Sequence, residues 1–331
     1  MASDGRVLAR QALGRRRARL AALSTMTAVR VAVVGAGKMG AHHARVFAAN
    51  KGATLVGVLD VDRHRAEHVA RNYGLGALRT LDEAIERADL VVLATPTAHH
   101  FSQALRVIEA GRAVLVEKPI AASAPEARAL CDAARARGVA LLVGHSERFN
   151  AVVRALATET EDDDVLAIAT SRSAAAPAAS GAQPEELCTN LAVHDIDLAA
   201  VLARAPVELV GCSGTVDEAS LMMRAGVAVV TTHVARGVTR RVRTLGLDTA
   251  TVRYEGDLLA GTLKATDRSD PNDRVVRTVN PAGLEPLALQ AEAALAAFRG
   301  EPSNIASGLD GLRAVAVAER AAMQLTASAA E

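Results

Sequence analysis

The chain is poor in aromatic residues and contains no tryptophan. Phe, Trp and Tyr together make up 2% of its 331 residues, so flat aromatic platforms for stacking bases or sugar rings are not expected. Its 38 basic and 37 acidic residues nearly cancel, to a net charge of +1. This balance gives no electrostatic reason to expect a nucleic acid or an acidic membrane as partner.

Cysteines and long apolar runs are also scarce. Cys131, Cys188 and Cys212 are odd in number and form no CxxC pair, so reduced thiols in a cytoplasmic protein are expected. No apolar run approaches the roughly 18 residues of a membrane span. No spacing typical of a zinc, copper or iron site is present either. We therefore expect neither membrane insertion nor a metal centre.

The first residues of the chain are basic. Four arginines within 15–19 precede a short apolar stretch at 20–23, an order faintly similar to a twin-arginine export signal. The apolar stretch is brief, and no small-residue cleavage site fits before the strand that begins near Val29. A disordered basic arm at 1–27, or a natural start at Met26, is the simpler expectation.

Strands and helices are predicted to alternate up to about residue 145. Short, β-branched apolar runs are typical of buried parallel strands, and glycines end several of the helices between them. The predicted strands are 29–34, 54–59, 90–94, 113–116 and 140–143, and the predicted helices are 38–50, 63–73, 81–87, 99–110 and 125–137. This alternation predicts an α/β fold whose first domain, 28–147, is a doubly wound parallel sheet.

The pattern changes in the second half of the chain, where strands follow one another without intervening helices. The predicted strands are 165–171, 207–216, 227–234, 240–247, 249–254 and 258–263, and the predicted helices are 187–202, 284–298 and 309–325. This order predicts an α+β domain at 148–331 with a large open, mostly antiparallel sheet. The stretch 174–184 is rich in Ala, Pro, Ser and Gly and is expected to be a mobile loop.

A glycine-rich turn follows the first predicted strand. Gly35, Gly37 and Gly40 form a GxGxxG pattern that opens a helix at Lys38 and Met39. The first glycine allows a tight turn, the second lets the backbone approach a pyrophosphate, and the third lets the helix pack closely on the strand. The helix N-terminus offers amide donors and a positive dipole to phosphates. The context predicts a dinucleotide site, although a lone GxGxxG is a weak signal.

The acidic residue expected of such a site is Asp60. It lies 20 residues beyond Gly40, at the end of the second predicted strand. A carboxylate there accepts the ribose hydroxyls of NAD and repels the 2′-phosphate of NADP. Arg63 and Arg65 stand nearby and weaken that preference. The sequence thus favours NAD over NADP, and an unrelated glycine cluster in another α/β protein is the alternative.

Three further motifs follow predicted strands. They are Thr95-Pro96-Thr97-Ala98-His99-His100, Glu117-Lys118-Pro119 and Gly144-His145-Ser146-Glu147-Arg148-Phe149-Asn150. Together with the glycine turn, they resemble the glucose–fructose oxidoreductase/inositol dehydrogenase (Gfo/Idh/MocA) family over about residues 28–325. The resemblance implies a Rossmann domain, an α+β domain that binds substrate and forms a homodimer or homotetramer through its sheet, and an NAD-dependent sugar or polyol oxidoreductase. The last helix could pack back on the Rossmann domain.

The resemblance also assigns roles to residues of these motifs. Thr95, Pro96, His100 and Glu117 would line the cofactor site, and Lys118 would be the active-site lysine, in a Lys-Pro peptide that is often cis in the family. From the residues alone, a lysine at the carboxyl end of a parallel strand stands where ligands bind. Its ammonium can polarise the oxygen that becomes a carbonyl. An exposed surface lysine is the alternative.

A second constellation lies on the predicted helix 187–202. Asn190, His194 and Asp197 are expected to share one helix face. Inositol-dehydrogenase-like members of the family carry Asp-xxx-His here, with the histidine as acid/base, so His194 matches and Asn190 departs. An amide cannot accept a proton, so either the relay runs through His194 and Lys118 alone or the chemistry is altered or slow. Asn190 can still bind a substrate hydroxyl or orient His194, Asp197 is expected to orient structure or substrate, and a structural histidine is the alternative.

The substrate is the least readable feature. The stretches 145–150, 193–197, 241–247 and 285–287 are similar to a subgroup that includes UDP-N-acetylhexosamine 3-dehydrogenases. Arg148 is expected to bind a phosphate or carboxylate. A basic run could do the same or be a solvated strand edge; it consists of Arg236, Arg240, Arg241 and Arg243.

The expected reaction is reversible hydride transfer at a secondary alcohol of a sugar. The 3-hydroxyl of a nucleotide-activated sugar is the first choice, and a free sugar or an inositol-like cyclitol is the second. A different class of function stays open because of Asn190. The chain could be a sensor or regulatory subunit that binds NAD and a sugar but catalyses weakly.

Overall fold

The computed structural model describes residues 28–175, 184–270, 275–281 and 283–328. The predicted basic arm at 1–27 lies outside these residues, and so does 176–183, most of the predicted mobile loop. Within the described ranges, every helix is too short or too polar to cross a membrane.

The first part of the chain alternates strands and helices, as predicted. The strands are β1 (Val29–Val34), β2 (Ala53–Leu59), β3 (Leu90–Leu93), β4 (Ala113–Val116) and β5 (Leu141–Val143). The helices are α1 (Lys38–Ala49), α2 (Arg63–Arg71), α3 (Leu81–Arg87), α4 (His100–Glu109) and α5 (Ala124–Arg137). Every residue of β3, β4 and β5 is buried, as expected for strands covered by helices on both faces.

These five strands form a parallel sheet in the order β5-β4-β3-β1-β2. The chain moves outward from β1 in one direction to β2 and in the other to β3, β4 and β5. Ligands of such sheets bind outside the carboxyl ends of the strands, at the point where the order reverses. That point is the edge between β1 and β3, where the glycine turn lies.

Side chains cap three of these helices. Asp62, Thr80 and Ser123 accept hydrogen bonds from amides in the first turns of α2, α3 and α5. Such caps satisfy amides that have no partner within the helix. α1 differs, because its N-cap is Gly37 and no side chain caps it. Its first-turn amides therefore stay available to a ligand.

The second part of the chain forms an eight-stranded sheet. Its strands are β6 (Ala167–Ala174), β7 (Val207–Gly214), β8 (Glu218–Ala225), β9 (Ala228–Arg236), β10 (Val242–Asp248), β11 (Val252–Asp257), β12 (Thr262–Asp267) and β13 (Val276–Val279). Their order is β13-β12-β11-β10-β6-β9-β8-β7, with every pair antiparallel except β6 and β9. This second sheet confirms the predicted fold class.

Helices cover one face of the second sheet. They are α6 (Ala151–Glu159), α7 (Pro184–Leu187), α8 (Val193–Leu202) and α10 (Gly308–Ser328), and a π-helical segment, Cys188–Ala192, joins α7 to α8. The remaining helix of this part of the chain is α9 (Pro286–Arg299). The core on this face includes Val152 of α6, Leu198 of α8 and Leu325 of α10. α9 packs instead on the first sheet, where its Leu295 lies among the buried side chains of β1.

The C-terminal segment ties the two sheets together. β14 (Ala306–Ser307) pairs antiparallel with β5 at the edge of the first sheet. The first half of α10 contributes Leu312 and Val315 to the core of that sheet, and its second half contributes Ala318 and Leu325 to the core of the second. One helix therefore packs against both sheets and fixes them beside each other.

Several elements differ from the sequence predictions. β8, β13 and α6 were not predicted, and the predicted helix 187–202 is divided by the π-helical segment. β8 alternates regularly between exposed and buried residues, but its Glu, Ala and Met residues have little β-propensity. Burial in the core of the second sheet and pairing with β7 and β9 override that local preference.

Candidate active site

The glycine turn has the geometry of a phosphate cradle. Gly35 has φ = +95°, and a Cβ on Gly40 would lie 1.7 Å from the carbonyl oxygen of Gly35. Both glycines are therefore required by the turn itself. A Cβ on Gly37 would meet no protein atom within 4 Å, so protein packing does not explain a glycine there. The space it leaves, beside the uncapped N-terminus of α1, fits a pyrophosphate.

Asp60 is bound to this turn. Its Oδ2 accepts a hydrogen bond from the amide of Ala36 at 2.6 Å, and its Oδ1 accepts one from the amide of Asp62 at 2.8 Å. The Nη1 of Arg65 lies 3.8 Å from Oδ1. Each carboxylate oxygen can accept a second bond, so Asp60 can still receive ribose hydroxyls. Arg65 is the nearest cation for a 2′-phosphate.

The loop after β3 contains the predicted cofactor residues Thr95, Pro96 and His100. Thr95 hydrogen-bonds Gln103 through its hydroxyl at 2.7 Å. His100 is buried, and its two ring nitrogens lie 2.8 Å from the carbonyl oxygens of Thr95 and Pro119. The imidazole is therefore occupied by protein groups, and it holds this loop against the turn after β4. Its expected role at the cofactor is then an indirect one.

Glu117, Lys118 and Pro119 follow β4, and the Lys118–Pro119 peptide is cis. Glu117 is buried, and its Oε1 lies 2.7 Å from Nε2 of His43 on α1. Burial raises the pKa of the Glu117 carboxyl, but the bond with His43 and the charge of Lys118 outweigh it, so the pKa is lowered overall. Glu117 thus stays ionised and connects the cofactor-binding helix to the lysine.

Lys118 reaches from the first sheet to the second part of the chain. Its Nζ donates a hydrogen bond to the backbone carbonyl of Asn190 at 3.1 Å. Burial lowers the pKa of Lys118, and Arg172 and Arg243 lower it further, whereas Glu117 acts in the opposite direction. Asn190 lies in the π-helical segment, with its side chain at an exposed position. Such segments are frequent at functional sites.

His194 stands in the first turn of α8, beside this contact. Its Nδ1 has neither solvent contact nor a hydrogen-bond partner. Burial lowers the pKa of the imidazole well below its ordinary value, and the positive charges of Lys118, Arg172 and Arg243 lower it further, as does His145. His194 is therefore neutral at physiological pH, the form that can accept a proton.

Arg148, which the sequence predicts to bind an acidic group of the substrate, is paired with acidic residues of the protein in the structure. Arg148 forms a two-pronged ion pair with Asp197, at 2.8 and 2.6 Å, and its Nη1 lies 3.6 Å from Asp310. The side chains of Arg148 and Asp197 are 9% and 2% exposed. Burial opposes the charge of Arg148, but Asp197 raises its pKa overall. Both residues are satisfied by each other and shape the protein behind His194.

Three charged residues near the site, Arg172, Asp195 and Glu147, were given no role from the sequence. Arg172 of β6 is 2% exposed and binds Asp195 of α8 through two nitrogens, at 2.7 and 3.1 Å. It also binds Glu147 at 3.2 Å, and Arg243 of β10 binds the same oxygen of Glu147 at 2.6 Å. The only available signal was an arginine in an apolar strand, because buried charge needs a partner.

The four arginines of the basic run 236–243 have different surroundings in the structure. Arg236 pairs with Glu186 and Asp217, and Arg240 and Arg241 are exposed. Arg243 alone joins the site. It lies directly opposite Arg172 on the neighbouring strand, and its side chain is 31% exposed.

The first comparison with known proteins concerns the glycine turn and the strands around it. Residues 29–145 match the family model described as an oxidoreductase family with an NAD-binding Rossmann fold. This range contains the glycine turn, Asp60 and Lys118.

Relatives of similar length extend the likeness to most of the chain. The UDP-N-acetylglucosamine 3-dehydrogenase of Acidithiobacillus ferrooxidans is 29% identical over 313 residues, 88% of this chain and 96% of the relative. Its solved structure superimposes with a TM-score of 0.82, covering 91% of this chain and 99% of that one at 27% identity. Inositol 2-dehydrogenase 1 of Saccharopolyspora erythraea is 32% identical over 324 residues, 88% of this chain and 92% of the relative.

A further solved structure contains a cofactor. GenD2 from gentamicin A biosynthesis, determined in complex with NAD, superimposes with a TM-score of 0.77 at 26% identity. The match covers 92% of this chain and 96% of that chain.

The roles of Gly37 and Gly40 in the turn can be distinguished by experiment. We expect Gly37→Ala to keep the stability of the fold, because its Cβ meets no protein atom, and to weaken dinucleotide binding at least about tenfold, or ~1.4 kcal/mol. Gly40→Ala should destabilise the protein, because its Cβ overlaps the Gly35 carbonyl. Denaturant unfolding and calorimetric titration with NAD measure both. Unchanged affinity in Gly37→Ala would refute the cradle.

Proposed function

The chain belongs to the glucose–fructose oxidoreductase/inositol dehydrogenase family of NAD-binding oxidoreductases, and on that premise we propose that it is a dehydrogenase acting on a secondary alcohol of a sugar. The observation that carries the proposal is the contact between Lys118 and Asn190, which brings the lysine after β4 beside a neutral His194. The first choice of substrate is a nucleotide-activated sugar, oxidised at its 3-hydroxyl or reduced from the 3-keto form.

We propose NAD rather than NADP as the cofactor. The support is Asp60, which lies at the end of β2 and accepts a hydrogen bond from the glycine turn. A carboxylate there attracts ribose hydroxyls and repels a 2′-phosphate. Arg65 acts in the opposite direction, but its guanidinium also lies near two carboxylates, at 3.8 Å from Asp60 and 3.4 Å from Asp62.

The residues that would perform the chemistry are Lys118 and His194. A bound nicotinamide would supply the acceptor for the hydride. The ammonium of Lys118 would hold the substrate oxygen and stabilise the negative charge that develops on it. The neutral imidazole of His194 would accept the hydroxyl proton. The carbonyl of Asn190 orients Lys118, and its exposed side chain is available to a substrate hydroxyl.

The partly exposed Arg243 favours a substrate with an acidic group. Lys118, Arg172 and Arg243 all lower the pKa of His194, but Arg172 is buried and paired with Asp195 and Glu147. Arg243 uses Nη1 for Glu147 and is 31% exposed, so its other donors can bind a phosphate bidentately. This supports a nucleotide-activated sugar over a neutral one.

A free sugar or cyclitol is the second candidate. Its support is the inositol 2-dehydrogenase from Saccharopolyspora erythraea, which has the higher identity of the two relatives reported above. The sensor alternative has no comparable support, because the relatives reported above are named as dehydrogenases.

We also propose that the chain forms a homodimer or homotetramer through the second sheet. Three adjacent strands of that sheet, β7, β8 and β9, carry large apolar residues that are exposed. Their exposed fractions are 59% for Val210, 50% for Met222 and 54% for Val229. Exposed apolar residues on adjacent strands are typical of an interface.

The cofactor proposal predicts tighter binding of NAD than of NADP in calorimetric titration. Asp60→Asn removes the negative charge but keeps one acceptor oxygen. The dissociation constant for NADP divided by that for NAD should therefore fall by about tenfold, or ~1.4 kcal/mol. Asp62→Asn is the matched control, since asparagine also caps α2 and should leave the ratio unchanged. A clear preference of the unaltered protein for NADP would overturn the proposal.

The reaction is tested by NADH formation with UDP-N-acetylglucosamine, glucose 6-phosphate, glucose and myo-inositol. We expect the nucleotide sugar to give the highest kcat/KM. Lys118→Ala should lower kcat by about 10² to 10⁴, the usual contribution of a positioned acid or base. If Lys118→Ala and the unaltered protein behave alike with every active substrate, the assigned chemistry is wrong.

The role of Arg243 has its own test with the same substrates. Arg243→Gln should raise KM about tenfold, or ~1.4 kcal/mol, for the phosphate-bearing substrates and leave KM for glucose or myo-inositol unchanged. Arg241→Gln, an exposed neighbour on the same strand connection, is the control. Equal effects of Arg243→Gln on charged and neutral substrates would contradict an anion-binding role.

The assembly proposal predicts that Met222→Lys lowers the sedimentation coefficient to that of a monomer, because a buried lysine without a partner opposes association. Val61→Lys, fully exposed on the first domain, should leave it unchanged. Identical sedimentation of the two variants would show that this face is not the interface.

A further inference from the structure

His145 is a buried histidine to which the proposed chemistry gives no role. It follows β5, its side chain is 1% exposed, and neither ring nitrogen has a hydrogen-bond partner. Buried polar groups in native proteins are nearly always hydrogen-bonded, and exceptions ask for an explanation. A phenylalanine would fill the same space without the cost of burying two polar nitrogens.

The position of His145 connects two groups of α8. Its Nδ1 lies 3.9 Å from Oδ2 of Asp197, too far for a hydrogen bond but close enough for an ion pair. His194 stands three residues before Asp197, on the same side of the helix, and its own buried Nδ1 also has no partner. A protonated His145 lowers the pKa of His194. His145 therefore lies beside a buried carboxylate and within electrostatic range of the proposed base.

Asp197 also lines a cavity of about 300 Å³. Arg148, Asp197, Ala200, Val207, Asp310 and Arg313 are among its lining residues. Arg313 is exposed, so the cavity opens to solvent. It has room for several water molecules, each of which takes about 30 Å³ in the liquid. Lys118 and the glycine turn do not belong to its walls, so this opening is separate from the one through which substrate and dinucleotide would enter.

We propose that His145 is a proton relay between His194 and the water of this cavity. In the direction of oxidation, the C–H bond of the alcohol breaks and its electron pair leaves with the hydride to the nicotinamide dinucleotide. The O–H bond breaks and its electron pair becomes the second bond of the carbonyl. The proton passes to His194, then to His145, and then to cavity water beside Asp197. Reduction uses the same path in reverse. The inference rests on the proposed dehydrogenase function.

The charges around His145 suit a relay that carries a proton briefly. The groups that act on it are Asp197, Arg148, Lys118 and Glu117. Burial lowers the pKa of His145, and so do Arg148 and Lys118, whereas Asp197 and Glu117 raise it, and the result is a lowered pKa. His145 is thus neutral at rest and able to accept a proton. Asp197 supplies the counter-charge while the imidazole is protonated.

A separate path for the proton matters when the substrate cleft is filled. With dinucleotide and sugar bound, His194 would be covered from that side, and its proton could not leave by the route through which the substrate came. If the proton stayed, His194 could not serve as base in the next turnover. A separate path to solvent removes that limit.

The first test compares NADH formation with proton release in stopped flow, using UDP-N-acetylglucosamine and a pH-indicator dye. His145→Phe keeps the ring volume but carries no proton. We expect its first turnover to form NADH at the normal rate, with dye-detected proton release delayed and steady-state turnover at least about tenfold slower. If His145→Phe forms NADH and releases the proton at the same time, with an unaltered turnover rate, the relay is overturned.

A matched pair of variants separates loss of the relay from loss of structure. His145→Ala leaves a space that added imidazole can occupy, and imidazole should restore its turnover. His145→Phe has no such space, and imidazole should not help it. Both variants should bind NAD as the unaltered protein does. Failure of imidazole to restore His145→Ala would contradict the relay.

A second measurement needs no substrate. The imidazole N–H of His145 in ¹⁵N-histidine-labelled protein should exchange rapidly with water, because the cavity supplies it. Ala200→Leu fills the cavity wall and should slow that exchange. Slow exchange in the unaltered protein would overturn the relay even if the protein is a dehydrogenase. Rapid exchange together with no turnover of any sugar would instead refute the proposed function, while the path between His145 and cavity water would still be supported.

Discussion

The buried guanidinium of Arg172 is the constraint on which the site depends. An unpaired charge at 2% exposure would cost several kcal/mol, so Arg172 must have its partners in place when the chain folds. Those partners are Asp195 of α8 and Glu147 of the turn after β5. One side chain of the second sheet thereby holds the helix that carries His194 and a turn that belongs to the end of the first sheet.

The catalytic properties follow from this arrangement. Once α8 and the turn are held on β6, Lys118 can reach the carbonyl of Asn190, and His194 comes under the field of Lys118, Arg172 and Arg243. Burial and the charges of these three residues keep the imidazole neutral. The buried Arg172 thus has two effects: it holds α8 in place, and it helps to keep the proposed base, His194, neutral.

Local patterns made the first sheet and its glycine turn predictable from the sequence. β1, the glycine turn, α1 and Asp60 are close together in the chain, and each has a local sequence pattern that predicts it. Lys118 and His194 were found through the resemblance to a family. The features that the sequence did not reveal depend on contacts between distant segments. The π-helical segment is contacted by Lys118 through the carbonyl of Asn190, and Arg148 and Arg172 are paired with acids many residues away. β8 is stabilised by its pairing with β7 and β9.

The pH dependence of kcat/KM for alcohol oxidation tests the central claim, a neutral His194 beside a charged Lys118, most directly. Because the base must be unprotonated, the rate is lost as the pH falls through the lowered pKa of His194, so the acid-side decline should lie well below pH 6.5. The alkaline decline should lie below pH 10.5, where Lys118 loses its proton. An acid-side decline centred at or above pH 6.5 would contradict the account.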